Sequence, residues 1–106
     1  MEKSDFAELE RIRNELSRKF FGFPEGCCCG SAVRINDLLG YELVRGKFHL
    51  GERQFVHYWN ETPNGEIVDL TARQFSPEFP EILVTSRHSD LAKNHYDNAY
   101  FRDMPL

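Results

Sequence analysis

Three kinds of side chain in this sequence could together make and hold a reactive thiolate, and they occur in the order Cys, His, Asp. The cysteines are consecutive, in Gly26-Cys27-Cys28-Cys29-Gly30-Ser31. A histidine follows in His57-Tyr58-Trp59 and an aspartate in Asp69-Leu70-Thr71. A free thiol, with a pKa of about 8.5, is mostly protonated at neutral pH. The positive end of a helix and a neighbouring imidazolium both lower that value. His57 would then take the thiol proton and later give one to a leaving group. Asp69 would fix the tautomer of the ring and stabilise its charged form. Cys28 is the expected nucleophile and Cys27 the alternative. Trp59 reads first as a core residue and second as a platform for substrate.

The elements that must position these groups follow from periodicity. Phe6, Leu9, Ile12, Leu16 and Phe20 recur at helical spacing, which predicts an amphipathic helix over 5–20, capped by Ser4 or Asp5. Gly22, Pro24 and Gly26 make the next stretch a loop. A second helix is expected from about Cys28 to Leu39, ended by Gly40. Its apolar stripe, Cys28, Ala32, Ile35 and Leu39, turns Cys28 inward, whereas the stripe from Cys27 meets Arg34.

Strands are expected at Tyr41–Leu50, Gln54–Asn60, Glu66–Leu70 and Glu81–Thr85, with a short helix near Ser89–Tyr96 and an aperiodic aromatic tail to Leu106. The turn Thr62-Pro63-Asn64-Gly65 decides whether His57 and Asp69 can meet. A type I turn followed by a left-handed Gly65 pairs Thr62 with Glu66 and sets His57 and Asp69 on one face, diagonally placed. A two-residue Asn64-Gly65 loop shifts the register and puts them on opposite faces. Pro63 favours the first arrangement.

Composition narrows the function classes. At 106 residues, 41% of them hydrophobic, the chain suits one folded domain. A net charge of −4 and the absence of a basic stripe argue against a nucleic-acid partner. No apolar run approaches the roughly 20 residues that span a bilayer, and the amino-terminal residues lack the apolar stretch of a signal peptide. A cytoplasmic, non-membrane protein is therefore expected, with export as an effector left open. Three adjacent cysteines do not form a disulfide framework, so reduced thiols are expected. Zinc would accept Cys27, Cys28 and Cys29 with His49, His57, His88 or His95 as ligands. However, adjacent cysteines on a helix diverge by about 100°, and the two-residue spacer of zinc knuckles is missing. No metal and no cofactor are expected.

These same segments resemble a known family. Gly26-Cys27-Cys28 before a small-residue helix, a glycine-bounded strand at Val44-Arg45-Gly46, His57-Tyr58-Trp59, and Ile67-Val68-Asp69-Leu70-Thr71-Ala72-Arg73-Gln74-Phe75 resemble the small bacterial papain-fold proteins, which include cysteine-protease-like toxin and effector domains. The transglutaminase-like core is similar in its Cys-bearing helix, His-aromatic-Trp strand and Asp strand. The likeness covers about residues 22–76.

By that resemblance the nucleophile falls on Cys28, or on Cys27 if the register slips by one, the general base on His57 and the orienting acid on Asp69. Cys27 has its own support, because Cys27 with Ser31-Ala32-Val33 also looks like the segment that follows the papain nucleophile. One departure stands out. Papain-like proteases carry a Gln six residues before the nucleophile as an oxyanion donor; here that position is Gly22, or Phe21 for Cys27. A helix-start N–H supplies one donor, and Gln74 or Gln54 would have to supply another.

The resulting expectation is an α+β protein with a papain-like (transglutaminase-like) core, its N-terminal helices packed on a small antiparallel sheet of three or four strands. The chain would be one papain-like domain over 1–106: an N-terminal helix to 21, a catalytic-type core over 22–76, and a C-terminal strand and tail over 77–106. The implied activity is that of a cysteine hydrolase or acyltransferase acting on amide bonds of a protein or peptide: a peptidase, a deamidase or a transglutaminase-like enzyme. The alternative is a non-catalytic module of the same fold that binds a protein or peptide.

Overall fold

The computed structural model describes residues 1–97, and the tail read over 98–106 lies outside the described residues. Helix α1, Lys3–Lys19, starts earlier than its apolar stripe suggests. Glu2 is its N-cap and gives no side-chain bond, so Ser4 and Asp5 stand inside the first turn instead of capping it. Leu9, Ile12 and Leu16 are buried, while Phe6 and Phe20 at the two ends of the stripe are exposed. Helix α2, Cys28–Leu39, begins right after Cys27 and ends at Gly40, whose φ of 72° closes it in the left-handed manner glycine tolerates. Of its apolar stripe, Ala32 and Ile35 are the buried members.

Strands β1, Glu42–Leu50, and β2, Arg53–Glu61, form a long hairpin in which Gly46 lies opposite His57. Strand β3, Glu66–Asp69, returns along the other side of β2, and β4, Leu83–Ser86, pairs with β3. Helix α3, Asp90–His95, is capped by the Ser89 hydroxyl, which accepts the Ala92 N–H, and β5, Tyr96–Asp97, adds to the free edge of β1. The sheet is antiparallel throughout, in the order β4-β3-β2-β1-β5, so it holds one strand more than the sequence pattern suggests.

The β2–β3 turn takes the form that Pro63 favours. Gly65 N–H donates to the Thr62 carbonyl at 3.0 Å, and Thr62 N–H donates to the Glu66 carbonyl at 2.8 Å. Gly65 has a φ of 78°. The register that follows sets Asn60 opposite Val68 and Glu61 opposite Ile67. Extended by one position, it sets Trp59 opposite Asp69, so His57 and Asp69 share a face.

The sheet is covered on both sides. Leu9, Ile12 and Leu16 of α1, Ile35 of α2, and Val68 and Leu70 of the β3 segment pack together on one side. Val44, Phe48, Trp59, Ile67, Leu83 and Tyr96 pack on the other, together with Ala72 of a short 3₁₀ turn, Ala72–Gln74, and Ala92 of α3. The Asn60 amide donates to the Ala32 carbonyl at 2.9 Å and ties α2 to β2 in the middle of the fold. No helix among the described residues is long and apolar enough to cross a membrane.

The left-handed Gly65 sets the strand register. Gly65→Ala should therefore cost about 1–2 kcal/mol of stability, the penalty of a Cβ in that conformation, read as a lower urea midpoint with an unchanged slope.

Candidate active site

Strand β2 points His57 into the aromatic side of the sheet. Its ring is edge-on to Phe48 at 5.6 Å and to Phe75 at 4.9 Å, and Phe75 in turn stacks on Phe48 at 4.1 Å. His57 is fully buried, with 0% exposure, and Asp69 has 2%. Two such groups persist in a core only when paired and hydrogen-bonded. Here His57 Nε2 lies 2.7 Å from Asp69 Oδ2, so this nitrogen donates to the carboxylate. The other carboxylate oxygen, Oδ1, accepts the Thr71 N–H at 2.8 Å and the Thr71 hydroxyl at 3.0 Å. The Tyr96 hydroxyl donates to Oδ2 at 2.7 Å. Asp69 therefore accepts four hydrogen bonds, filling the roughly four lone-pair sites of a carboxylate.

The thiol comes from the other side of the sheet, at the first residue of α2. The first bond inside the helix runs from Ser31 N–H to the Cys27 carbonyl, so the N–H groups of Cys28, Cys29 and Gly30 have no acceptor within the helix. The first turn contains no acidic residue to offset their positive field.

The sulfur reaches the ring through a gap at the edge of β2. Backbone groups alternate along a strand, so the N–H of Tyr58 points the same way as those of Asn60 and Thr62, toward β3. The β2–β3 ladder stops at Asn60–Val68, one hydrogen-bonded pair short of Tyr58. The Tyr58 N–H, left without a strand carbonyl, and the Cys29 N–H lie close enough to the Cys28 sulfur to favour its charged form.

These contacts set the charges. Burial by itself would push the Cys28 thiol up; the His57 ring and the N–H groups of Tyr58 and Cys29 outweigh it and hold the thiol below its ordinary range. Burial would likewise lower His57. The charge and hydrogen bond of Asp69, helped by Cys28, instead raise it to about 9. Asp69 is held low against its burial by His57 first, then by Tyr96 and Thr71. His57 Nδ1 is buried and has no hydrogen bond of standard geometry among the described residues. The sulfur thus neighbours the ring in a contact looser than a formed bond.

The remaining candidates fall elsewhere. Cys27 is the N-cap of α2. Its thiol donates to the Glu25 carbonyl at 3.5 Å and is pushed up by burial and by Cys28. It faces a cavity of about 380 Å³ between α1 and α2, lined also by Leu16, Phe20 and Arg34. Cys28, not Cys27, is thus the cysteine beside the imidazole. Trp59 is 1% exposed within the aromatic core, so its ring has no face to offer a substrate. Gln54 is exposed on the opposite face of β2 from His57, and its Oε1 accepts a bond from Lys47 at 3.2 Å. Gln74 is half-buried in the 3₁₀ turn, its amide nitrogen without a partner among the described residues. Those residues hold no group of three or more side chains able to bind a metal ion.

Tyr96, Thr71 and the Tyr58 N–H are parts of the site that sequence reasoning missed. The Asp69-x-Thr71 spacing carries a signal, because aspartate commonly accepts the N–H two residues ahead. Nothing local marks Tyr96.

A family model described as YunG protein matches residues 24–102. The chain belongs to the YunG family. The matched segment begins after α1 and includes Cys28, His57, Asp69, Thr71 and Tyr96. The YunG description names no activity. No curated protein and no solved structure matches the chain, and nothing in these comparisons links this YunG protein to papain-fold or transglutaminase-like proteins.

The buried pair ties stability to pH. His57 is raised, so its contribution is complete below about pH 6.5 and fades as pH rises through about 9. Asp69 is lowered, so its contribution is complete above about pH 4 and fades under stronger acid. Asp69→Ala should cost about 3–5 kcal/mol between about pH 4 and 6.5 and less above pH 9, as measured by urea unfolding across that range.

Proposed function

We propose that the protein is a cysteine-dependent hydrolase or acyltransferase acting on amide bonds of a protein or peptide, with Cys28 as nucleophile, His57 as general base and acid, and Asp69 as the group that orients the ring. In this reading the α+β fold is a papain-like (transglutaminase-like) one, a thiol at a helix tip facing a histidine on an antiparallel sheet. The observation that carries the proposal is the convergence of the three side chains from three separate elements. Asp69 is bonded to one ring nitrogen of His57, and the sulfur stands beside the same ring with its thiol held low.

The chemistry follows from that arrangement. Cys28 as thiolate attacks the amide carbon, and the carbonyl oxygen becomes an oxyanion. The Cys28 N–H, which has no acceptor within α2, would face the developing charge. His57 as imidazolium, kept in place by Asp69, gives the proton on Nδ1 to the departing amine as the C–N bond breaks. The resulting thioester is released by water, which completes hydrolysis or deamidation, or by a second amine, which completes acyl transfer. In either case His57 takes a proton from the incoming nucleophile and the thiolate is restored. Three free thiols suit a reducing compartment such as the cytoplasm.

The complete burial of His57 favours a second reading, a non-catalytic module that binds a protein or peptide. Turnover separates the two: glutamine-bearing peptides incubated with the protein and followed by mass analysis gain or lose mass only if it is an enzyme.

Alkylation by iodoacetamide tests the thiolate directly. Cys28→Ala should abolish the fast labelling phase and Cys27→Ala should leave it in place. His57→Ala should slow labelling at pH 6 by about tenfold or more, the cost of returning to an ordinary thiol. A labelling rate equal to that of a free thiol and indifferent to His57 would falsify the proposal.

A further inference from the structure

We propose that Tyr96 is a positioning residue for the Cys28–His57 pair: its hydroxyl, brought in by edge strand β5, holds Oδ2 of the Asp69 carboxylate where it meets His57. The inference rests on the thiolate–imidazolium reading above.

Thr71 holds the carboxylate from the side away from the ring: both of its bonds end on Oδ1. The oxygen that meets the imidazole takes no bond from that segment. At Oδ2 two donors meet, His57 Nε2 at 2.7 Å and the Tyr96 hydroxyl at 2.7 Å. His57 is the group to be oriented, so Tyr96 is the donor that can do the orienting.

Tyr96 is itself held firmly. It lies opposite Phe48 in the β1–β5 ladder, with its ring edge-on to Trp59 at 5.0 Å and to Phe48 at 5.1 Å. Burial and the adjacent Asp69 charge keep the phenol protonated far above the ordinary tyrosine range, so its hydroxyl hydrogen is always available to donate. The titratable groups that act on His57 are then Asp69 from β3, Cys28 from α2 and, through Asp69, Tyr96 from β5.

Tyr96→Phe keeps the ring and removes the hydroxyl. The test is the pH profile of Cys28 alkylation by iodoacetamide, beside urea unfolding of the same variant. With Oδ2 no longer held against the ring by a second donor, the acid limb of the profile should move to higher pH. The rate at pH 6 should fall by about tenfold, the scale of one lost bond to a charged group, while the rate near pH 10 should match the native protein.

A profile superimposable on the native one, with stability alone reduced, would make Tyr96 a packing residue and overturn the proposal. Proton NMR of the native protein tests the same contact without any variant: the Tyr96 hydroxyl proton should be protected from exchange together with the His57 Nε2 proton, and an unprotected hydroxyl overturns the proposal. His57→Ala separates the two levels of inference. If it leaves labelling at pH 6 unchanged, both readings fall. If it slows labelling and Tyr96→Phe does not, the role of Tyr96 alone falls.

Discussion

A buried carboxylate organises this protein. Asp69 sits at the end of a four-residue strand, almost out of reach of water, and carries a negative charge that the interior would otherwise reject. It is tolerated because donors from β2, from the segment just after β3 and from β5 converge on its two oxygens. The charge raises the pKa of the imidazole, and the imidazole in turn lowers that of the thiol. Each step uses low dielectric to strengthen the next. The rings of Phe48 and Phe75 against His57 supply that environment and confine the imidazole to one orientation.

The two sides of the sheet share the work unequally. The side under α1 and α2 supplies an aliphatic core, and through Asn60 it holds α2 where its first turn reaches the edge of β2. The side under α3 supplies the aromatic enclosure and the Tyr96 hydroxyl. The thiol belongs to the first side and the imidazole–carboxylate pair to the second. They meet only because β2 is left unpaired where β3 departs.

Much of this could be read in advance wherever short-range chemistry dictates structure. Gly40 ended α2 where a left-handed glycine should, and Pro63 with Gly65 specified the turn and with it the face shared by His57 and Asp69. The helical stripe through Cys28, Ala32 and Ile35 turned inward the cysteine that neighbours His57. What could not be read depends on distant partners. The pairing of β5 with β1 involves two residues, too few to leave a pattern, yet it delivers Tyr96. Nothing near Trp59 shows that Val44, Leu83 and Tyr96 enclose it. Gln54 and Gln74 look equivalent as amide donors until strand alternation sends Gln54 to the far face.

The early end of the β2–β3 ladder sets the strength of the sheet against the electrostatics of the Cys28 thiol. One more cross-strand pair, Tyr58 with Leu70, would knit the sheet more tightly. It would also turn the Tyr58 amide toward a carbonyl and close the slot that the sulfur occupies. The fold forgoes a routine backbone bond at that point and leaves the amide beside the Cys28 sulfur instead. A substitution that straightened the chain around Leu70 could therefore yield a sturdier molecule whose thiol lies nearer its ordinary range.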